Sequence, residues 1–87
     1  MFAILYYDVG EERVSKALKI CRKYLIWVQN SVFEGEITEA KLKQLHFELK
    51  EKLDFSIDSV IVYTFDNSRY TQRTTWGQEK GTRDNIV

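Results

Sequence analysis

Asp8 closes the unbroken apolar run FAILYY at residues 2–7, and it is the one carboxylate of the chain that directly follows such a run. A central strand buried on both faces would fix the backbone of Asp8 while its side chain reaches solvent. Two kinds of work fit an aspartate there. One is ligation of a hard cation such as magnesium, which takes one or two carboxylates together with water and phosphate oxygens. The other is the plainer task of closing a turn or capping a helix. A single aspartate per chain is too few for a firm metal site, but a two-fold dimer presents the same patch from both subunits and can bring two copies of Asp8 together. A cation held there would activate water and neutralise charge on a phosphate during in-line displacement. No other residue reads as a general base. His46, the only histidine, stands beside a leucine stripe far along the chain from Asp8 and reads as a packing or surface residue. Cys21 lies on an apolar stripe with no histidine nearby in the pattern and reads as a small core residue.

Positive charge is the second candidate for chemistry. Arg13, Lys16, Lys19, Arg22 and Lys23 fall between the apolar positions of the first helical segment. Steps of three and four put Lys16, Lys19 and Lys23 on neighbouring turns of one face. Such a row is either a solvated face or a track for a duplex backbone that contacts phosphates without reading bases. Tyr6, Tyr7, Tyr24, Trp27, Phe33 and Tyr63 raise the alternative of base stacking on single-stranded RNA. The glycine-aromatic signature of an RNA recognition motif is absent, which favours core and dimer packing for most of them.

The elements that must position these residues follow from periodicity. Residues 2–7 form the first strand. Val14, Ala17, Leu18, Cys21 and Leu25 recur at helical spacing, which predicts an amphipathic helix over 11–25 with Glu11 and Glu12 at the positive end of its dipole. Residues 26–37, IWVQNSVFEGEI, are rich in β-formers, and Asn30-Ser31 is placed to turn a hairpin between two short strands. Thr38 is a candidate N-cap for a second helix running through Leu53, with Leu42, Leu45, Leu49 and Leu53 facing the core. The run SVIVYTF at 59–65 predicts another strand. Strand, helix, strand, strand, helix, strand is the βαββαβ order of the α+β ferredoxin-like fold, an antiparallel sheet with both helices on one face.

Size and charge bound the function. A chain of 87 residues holds one small core, and stability alone is a reason to look for a partner. The lone cysteine rules out an internal disulfide and points to a reducing, cytoplasmic setting. No apolar stretch approaches the ~20 residues that span a bilayer, so a membrane is not an expected partner. Thirteen basic and thirteen acidic residues cancel, so binding of nucleic acid must come from a local patch rather than from the global field. The charges are unevenly placed: five Lys/Arg stand against three Asp/Glu in residues 1–33, and four against seven in 34–58. From Asp66 the composition turns polar, with Tyr70, Trp76, Ile86 and Val87 as the only large apolar residues. Such a segment is either disordered or pairs near 74–77 with a sheet edge that hides Trp76. The domain is therefore placed at 1–77, with 78–87 as a polar tail.

Three stretches together, YYDVGEERV at 6–14, YLIWVQNSVFEGEIT at 24–38, and SVIVYTF at 59–65 followed by Trp76-Gly77, resemble the small CRISPR-associated adaptation nuclease family, the second of the core Cas proteins. The resemblance covers residues 1–77. It implies a ferredoxin-like homodimer in which a C-terminal strand of each subunit completes the sheet of the other. It implies partnership with the CRISPR integrase in inserting spacers, and magnesium-dependent cleavage of RNA or DNA. Onto this chain it places Asp8 as the metal ligand with Tyr7 beside it, Arg13 as a phosphate-binding arginine, and Phe33 as an aromatic near the site. Trp27 departs from relatives that carry an arginine there, which removes one phosphate contact.

Rival functions share parts of this pattern. A catalytically silent dimer that holds duplex DNA for the integrase would use the same fold and the same basic helix. A ribonuclease toxin of related fold would act alone on messenger RNA. A small ligand-binding regulator of this fold would need a polar pocket, of which the sequence gives no sign.

Overall fold

The computed structural model describes residues 1–66 and 71–79. Residues 67–70 and 80–87, which hold Tyr70 and most of the expected polar tail, lie outside the described residues. Five strands, β1 (Phe2–Asp8), β2 (Ile26–Gln29), β3 (Val32–Glu36), β4 (Ser59–Phe65) and β5 (Thr71–Gly77), form one sheet in the order β2-β3-β1-β4-β5. Every neighbouring pair is antiparallel. Two helices, α1 (Val14–Cys21) and α2 (Glu39–Lys52), make the crossovers. This is the ferredoxin-like arrangement with one additional strand at the β4 edge.

Alternation decides what faces what. Ala3, Leu5 and Tyr7 of β1 share a face with Phe33 of β3 and with Val60 and Val62 of β4. All six are buried, and they pack with Ala17, Ile20 and Cys21 of α1 and Leu45 and Leu49 of α2 in a single core. The opposite face carries Phe2, Ile4, Tyr6 and Asp8, with Ile61, Tyr63 and Phe65 beside them on β4. No helix of the described residues covers it. Of its apolar residues on β1 and β4 only Ile61 is buried, and Tyr6 is 37% exposed.

α2 begins where expected: the Thr38 hydroxyl accepts the Lys41 N–H at 3.1 Å and satisfies one of the orphan donors of the first turn. α1 is shorter than the periodicity predicts. A single 3-10 turn, Glu11–Arg13, precedes it, and it ends at Cys21. The chain then turns through Arg22, Lys23 and Tyr24, and this turn returns Leu25 to the core, where it is 5% exposed. The apolar spacing was real, but its last member is delivered by a turn rather than by helix. At the hairpin, Asn30 takes up the left-handed backbone at φ 48°, a conformation asparagine tolerates.

The resemblance implies a C-terminal strand exchanged between subunits. Within one chain, β5 pairs along its whole length with β4, from Phe65 opposite Thr71 to Ser59 opposite Gly77. Trp76 is thereby 8% exposed without a second copy. Its indole stacks on the His46 ring at 4.2 Å between centroids and 4° between planes.

That contact makes a pH prediction. Burial first, and Lys50 second, lower the His46 pKa below its ordinary value of 6.5. The neutral ring is therefore favoured in the folded chain, whereas the unfolded chain takes up a proton as pH falls through 6.5. The stability that His46 contributes is complete above that pH and is lost below it. Urea midpoints of the parent should fall between pH 7.5 and 5.5, and those of His46→Phe should fall less. Equal pH dependence in the two proteins would contradict this.

Candidate active site at the end of β1

The loop that leaves β1 forms one wall of an open depression of about 320 Å³ lined by Tyr7, Asp8, Val9, Val14, Asn30 and Ser31. Asp8 is exposed at its edge and faces Ser59 across the sheet. The β2–β3 turn closes the other wall, because the Tyr7 N–H donates to the Ser31 carbonyl at 3.3 Å. Asn30 and Ser31 thus stand beside Asp8 with polar side chains. In the sequence they read only as turn formers. Their place in the QNSVFEG motif was a signal, but nothing local to them points to Asp8.

Tyr7 and Phe33 lie on the other side of the sheet. Tyr7 is 6% exposed and Phe33 0%, and their ring centroids are 6.0 Å apart. Burial, with a smaller contribution from Cys21, raises the Tyr7 pKa, so the phenol stays protonated. Tyr7 borders the depression as a buried, protonated phenol, and Phe33 is not among its lining residues. They form the packed floor that holds the end of β1 and β3 in place. Cys21 shares this floor, and burial pushes its thiol up to about 12, which makes it an inert core residue.

Arg13 is turned inward. Its Nε donates to Asp58 Oδ2 at 2.5 Å and its Nη2 to Asp58 Oδ1 at 2.8 Å, while Nη1 reaches Glu12 at 3.0 Å. The Arg13 hydrogen bonds, with those from the Asp54 and Gly10 amides, hold the Asp58 carboxyl down to about 2 against the opposing effect of burial. The expected phosphate-binding arginine is therefore committed to a carboxylate within the chain.

Lys16 and Lys19 are exposed on α1. Lys23, expected on the same row, falls beyond the helix end and binds Glu48 of α2, which also accepts the Tyr24 hydroxyl. These bonds lower the Glu48 pKa, with Lys23 the larger cause. Two lysines of the row thus remain on the helix, in the layer away from the open sheet face.

The donor set for a metal is thin in one chain. Among the described residues no three of His, Cys, Asp and Glu lie close enough to hold a metal ion. A single Asp8 suits a cation that keeps most of its water and takes further oxygens from a phosphate. It fits as half of a shared site better than as a complete one. No helix of the described residues is long and apolar enough to cross a membrane.

Known proteins resemble this chain in sequence and in fold. Residues 1–73 match the family model of CRISPR associated protein Cas2. A CRISPR-associated endoribonuclease Cas2 of Thermodesulfovibrio yellowstonii is 48% identical over 99% of this chain and 98% of its own. One from Dictyoglomus turgidum is 45% identical over the full length of both. Among solved structures, one described as a crystal structure of Cas2 superposes with a TM-score of 0.69 at 38% identity, covering 94% of this chain and 92% of the other. Streptococcus pyogenes Cas2 at pH 6.5 superposes with a TM-score of 0.69 at 31% identity, covering 78% and 89%. The chain belongs to the CRISPR-associated Cas2 family.

Proposed function

We propose that this protein is a magnesium-dependent endoribonuclease subunit of CRISPR adaptation. It works in the cytoplasm as a homodimer beside the integrase subunit and has its phosphodiesterase site at Asp8. The observation that carries the reading is the placement of Asp8: an exposed carboxylate on a rigid strand end, flanked by Asn30 and Ser31 in an open depression. The names of the full-length relatives support ribonuclease chemistry. Dimerisation is supported by the uncovered sheet face, where Phe2, Ile4, Tyr6, Tyr63 and Phe65 remain partly or wholly exposed and the sheltered Thr75 hydroxyl has no hydrogen-bond partner among the described residues. A second copy stacked on that face would bury these residues and complete the carboxylate pair.

In this reading the two Asp8 carboxylates would hold the cation through their negative charge. Asn30 and Ser31 line the wall along which the substrate backbone passes. When bound, magnesium supplies charge neutralisation at the phosphate and an activated water. Tyr7 and Phe33 act from below, by holding the strand end rigid. Cleavage assays with magnesium or EDTA, comparing the parent with Asp8→Ala on RNA and on duplex DNA, test this directly. Magnesium-dependent RNA cleavage lost in the variant is the expected result, and equal cleavage by both proteins would refute it.

A silent duplex-binding scaffold is the second reading, favoured by the single carboxylate per chain. Both readings use the helix lysines to bind phosphates. Loss of Lys16 and Lys19 together should flatten the slope of log affinity for duplex DNA against log salt by about 1.8 units, at ~0.9 per contact. Lys23→Ala should change it less, because that ammonium is held by Glu48. An unchanged slope in the double variant would show that the two lysines are only a solvated face.

A further inference from the structure

Asp58 is 1% exposed, and its carboxylate is filled by four donors. Oδ1 accepts from the Gly10 N–H at 2.9 Å and from Arg13 Nη2 at 2.8 Å. Oδ2 accepts from Arg13 Nε at 2.5 Å and from the Asp54 N–H at 2.9 Å. The Asp58 backbone carbonyl in turn accepts the Gln78 N–H at 2.8 Å, just past β5. Three segments distant in sequence are thus tied at one residue: the loop after β1, the connection from α2 to β4, and the exit of β5.

The position of this knot matters more than its strength. Gly10 is two residues beyond Asp8, and Ser59, the register partner of Asp8, directly follows Asp58. Asp8 is therefore held on one side by the sheet ladder and on the other by a loop that Asp58 grips twice, through Gly10 and through Arg13. Gly10 itself leaves no room, since a Cβ there would stand 2.3 Å from Arg13 Nη2. A buried ion pair yields little net stability over a well-packed apolar pair, so its benefit lies in defining one geometry.

We propose that Asp58, through Arg13 and Gly10, is a positioning residue that fixes the Asp8 carboxylate for phosphodiester cleavage. The proposal rests on the reading of Asp8 as the site. Arg13→Lys is the informative variant, because an ammonium cannot make the side-on, two-point contact of a guanidinium. Asp58→Asn is its companion, and if it fails to fold, Arg13→Lys carries the test.

Both proteins would be compared with the parent at a temperature where circular dichroism shows full folding. Two readouts are needed: steady-state RNA cleavage at several magnesium concentrations, and amide hydrogen exchange resolved by residue. The expected result is a kcat lower by about 10- to 100-fold with KM little changed, as small misplacement of a reacting group produces. The magnesium concentration for half-maximal rate should rise, and the Gly10 amide should exchange faster while those of Leu49 and Val62 do not. A kcat close to that of the parent in folded Arg13→Lys, or an unchanged Gly10 amide, would overturn the proposal and leave the pair as a fold staple. If the parent itself shows no magnesium-dependent cleavage, the reading of Asp8 fails. The clasp is then judged by Gly10 exchange alone: faster exchange upholds the hold on the Asp8 loop, and unchanged exchange overturns it.

Discussion

Asp8→Asn should abolish magnesium-dependent RNA cleavage while leaving the melting temperature and nucleic-acid affinity close to those of the parent. The amide keeps the size and much of the hydrogen-bonding capacity of the carboxylate but loses the charge a hard cation requires. Asp8 is exposed at a strand end and is not part of the core, so an amide of the same size leaves the core packing in place. The β1 backbone stays paired to β3 and β4 on its two sides. Cleavage, Tm and Kd measured on the same preparation would separate chemistry from structure. Full cleavage by the variant would move the phosphodiesterase away from Asp8 and leave the duplex-binding scaffold as the better account.

Trp76→Ala is expected to have the largest effect on stability. The indole is 8% exposed, packs into the main core and stacks on His46. Truncation of a buried tryptophan costs about 3–5 kcal/mol, a large fraction of what a domain of this size has to lose. The loss should be felt first in β5, an edge strand held on one side by β4 alone. Thermal unfolding would show a Tm lower by 10 °C or more, at ~4–8 °C per kcal/mol for a small domain. Because the ring is buried within its own chain, the loss should appear even at concentrations where no dimer forms. A drop confined to concentrations that support dimerisation would instead show that β5 is buried by a second copy.

The regular elements were legible wherever one periodicity ruled. β1 is a continuous apolar run up to Asp8, β4 is filled by β-branched and aromatic residues, and the leucine spacing of α2 follows its Thr38 cap. The hairpin at Asn30-Ser31 followed from turn chemistry. The periodicity overextends α1 because no glycine or proline marks its end; the turn after Cys21 is held by backbone bonds such as Tyr24 N–H to the Cys21 carbonyl at 3.0 Å. Ile20 falls outside the apolar stripe for a related reason: the helical spacing runs through Leu18, which is only half-buried, whereas Ile20 stands beside Cys21 on the buried side.

The site was legible in its centre and not in its surroundings. Asp8 is marked by its place after an apolar run. Tyr7 follows a rule the sequence also contains, since neighbours on a strand point to opposite faces, and an exposed Asp8 therefore puts Tyr7 in the core. Arg13 and Asp58 are 45 residues apart and meet between two loops; no local pattern announces such a pair. The same holds for Lys23 and Glu48, whose meeting depends on how α1 ends and packs on α2.

The central claim is that two copies of Asp8 make one cleavage site. It is tested most directly by mixing parent and Asp8→Asn chains in equal amounts, exchanging the subunits fully, and measuring magnesium-dependent RNA cleavage per total protein. Random pairing leaves about a quarter of dimers with two intact aspartates and about half with one. A shared site predicts activity near a quarter of the parent's, and activity near one half would contradict it by showing that each subunit cleaves alone.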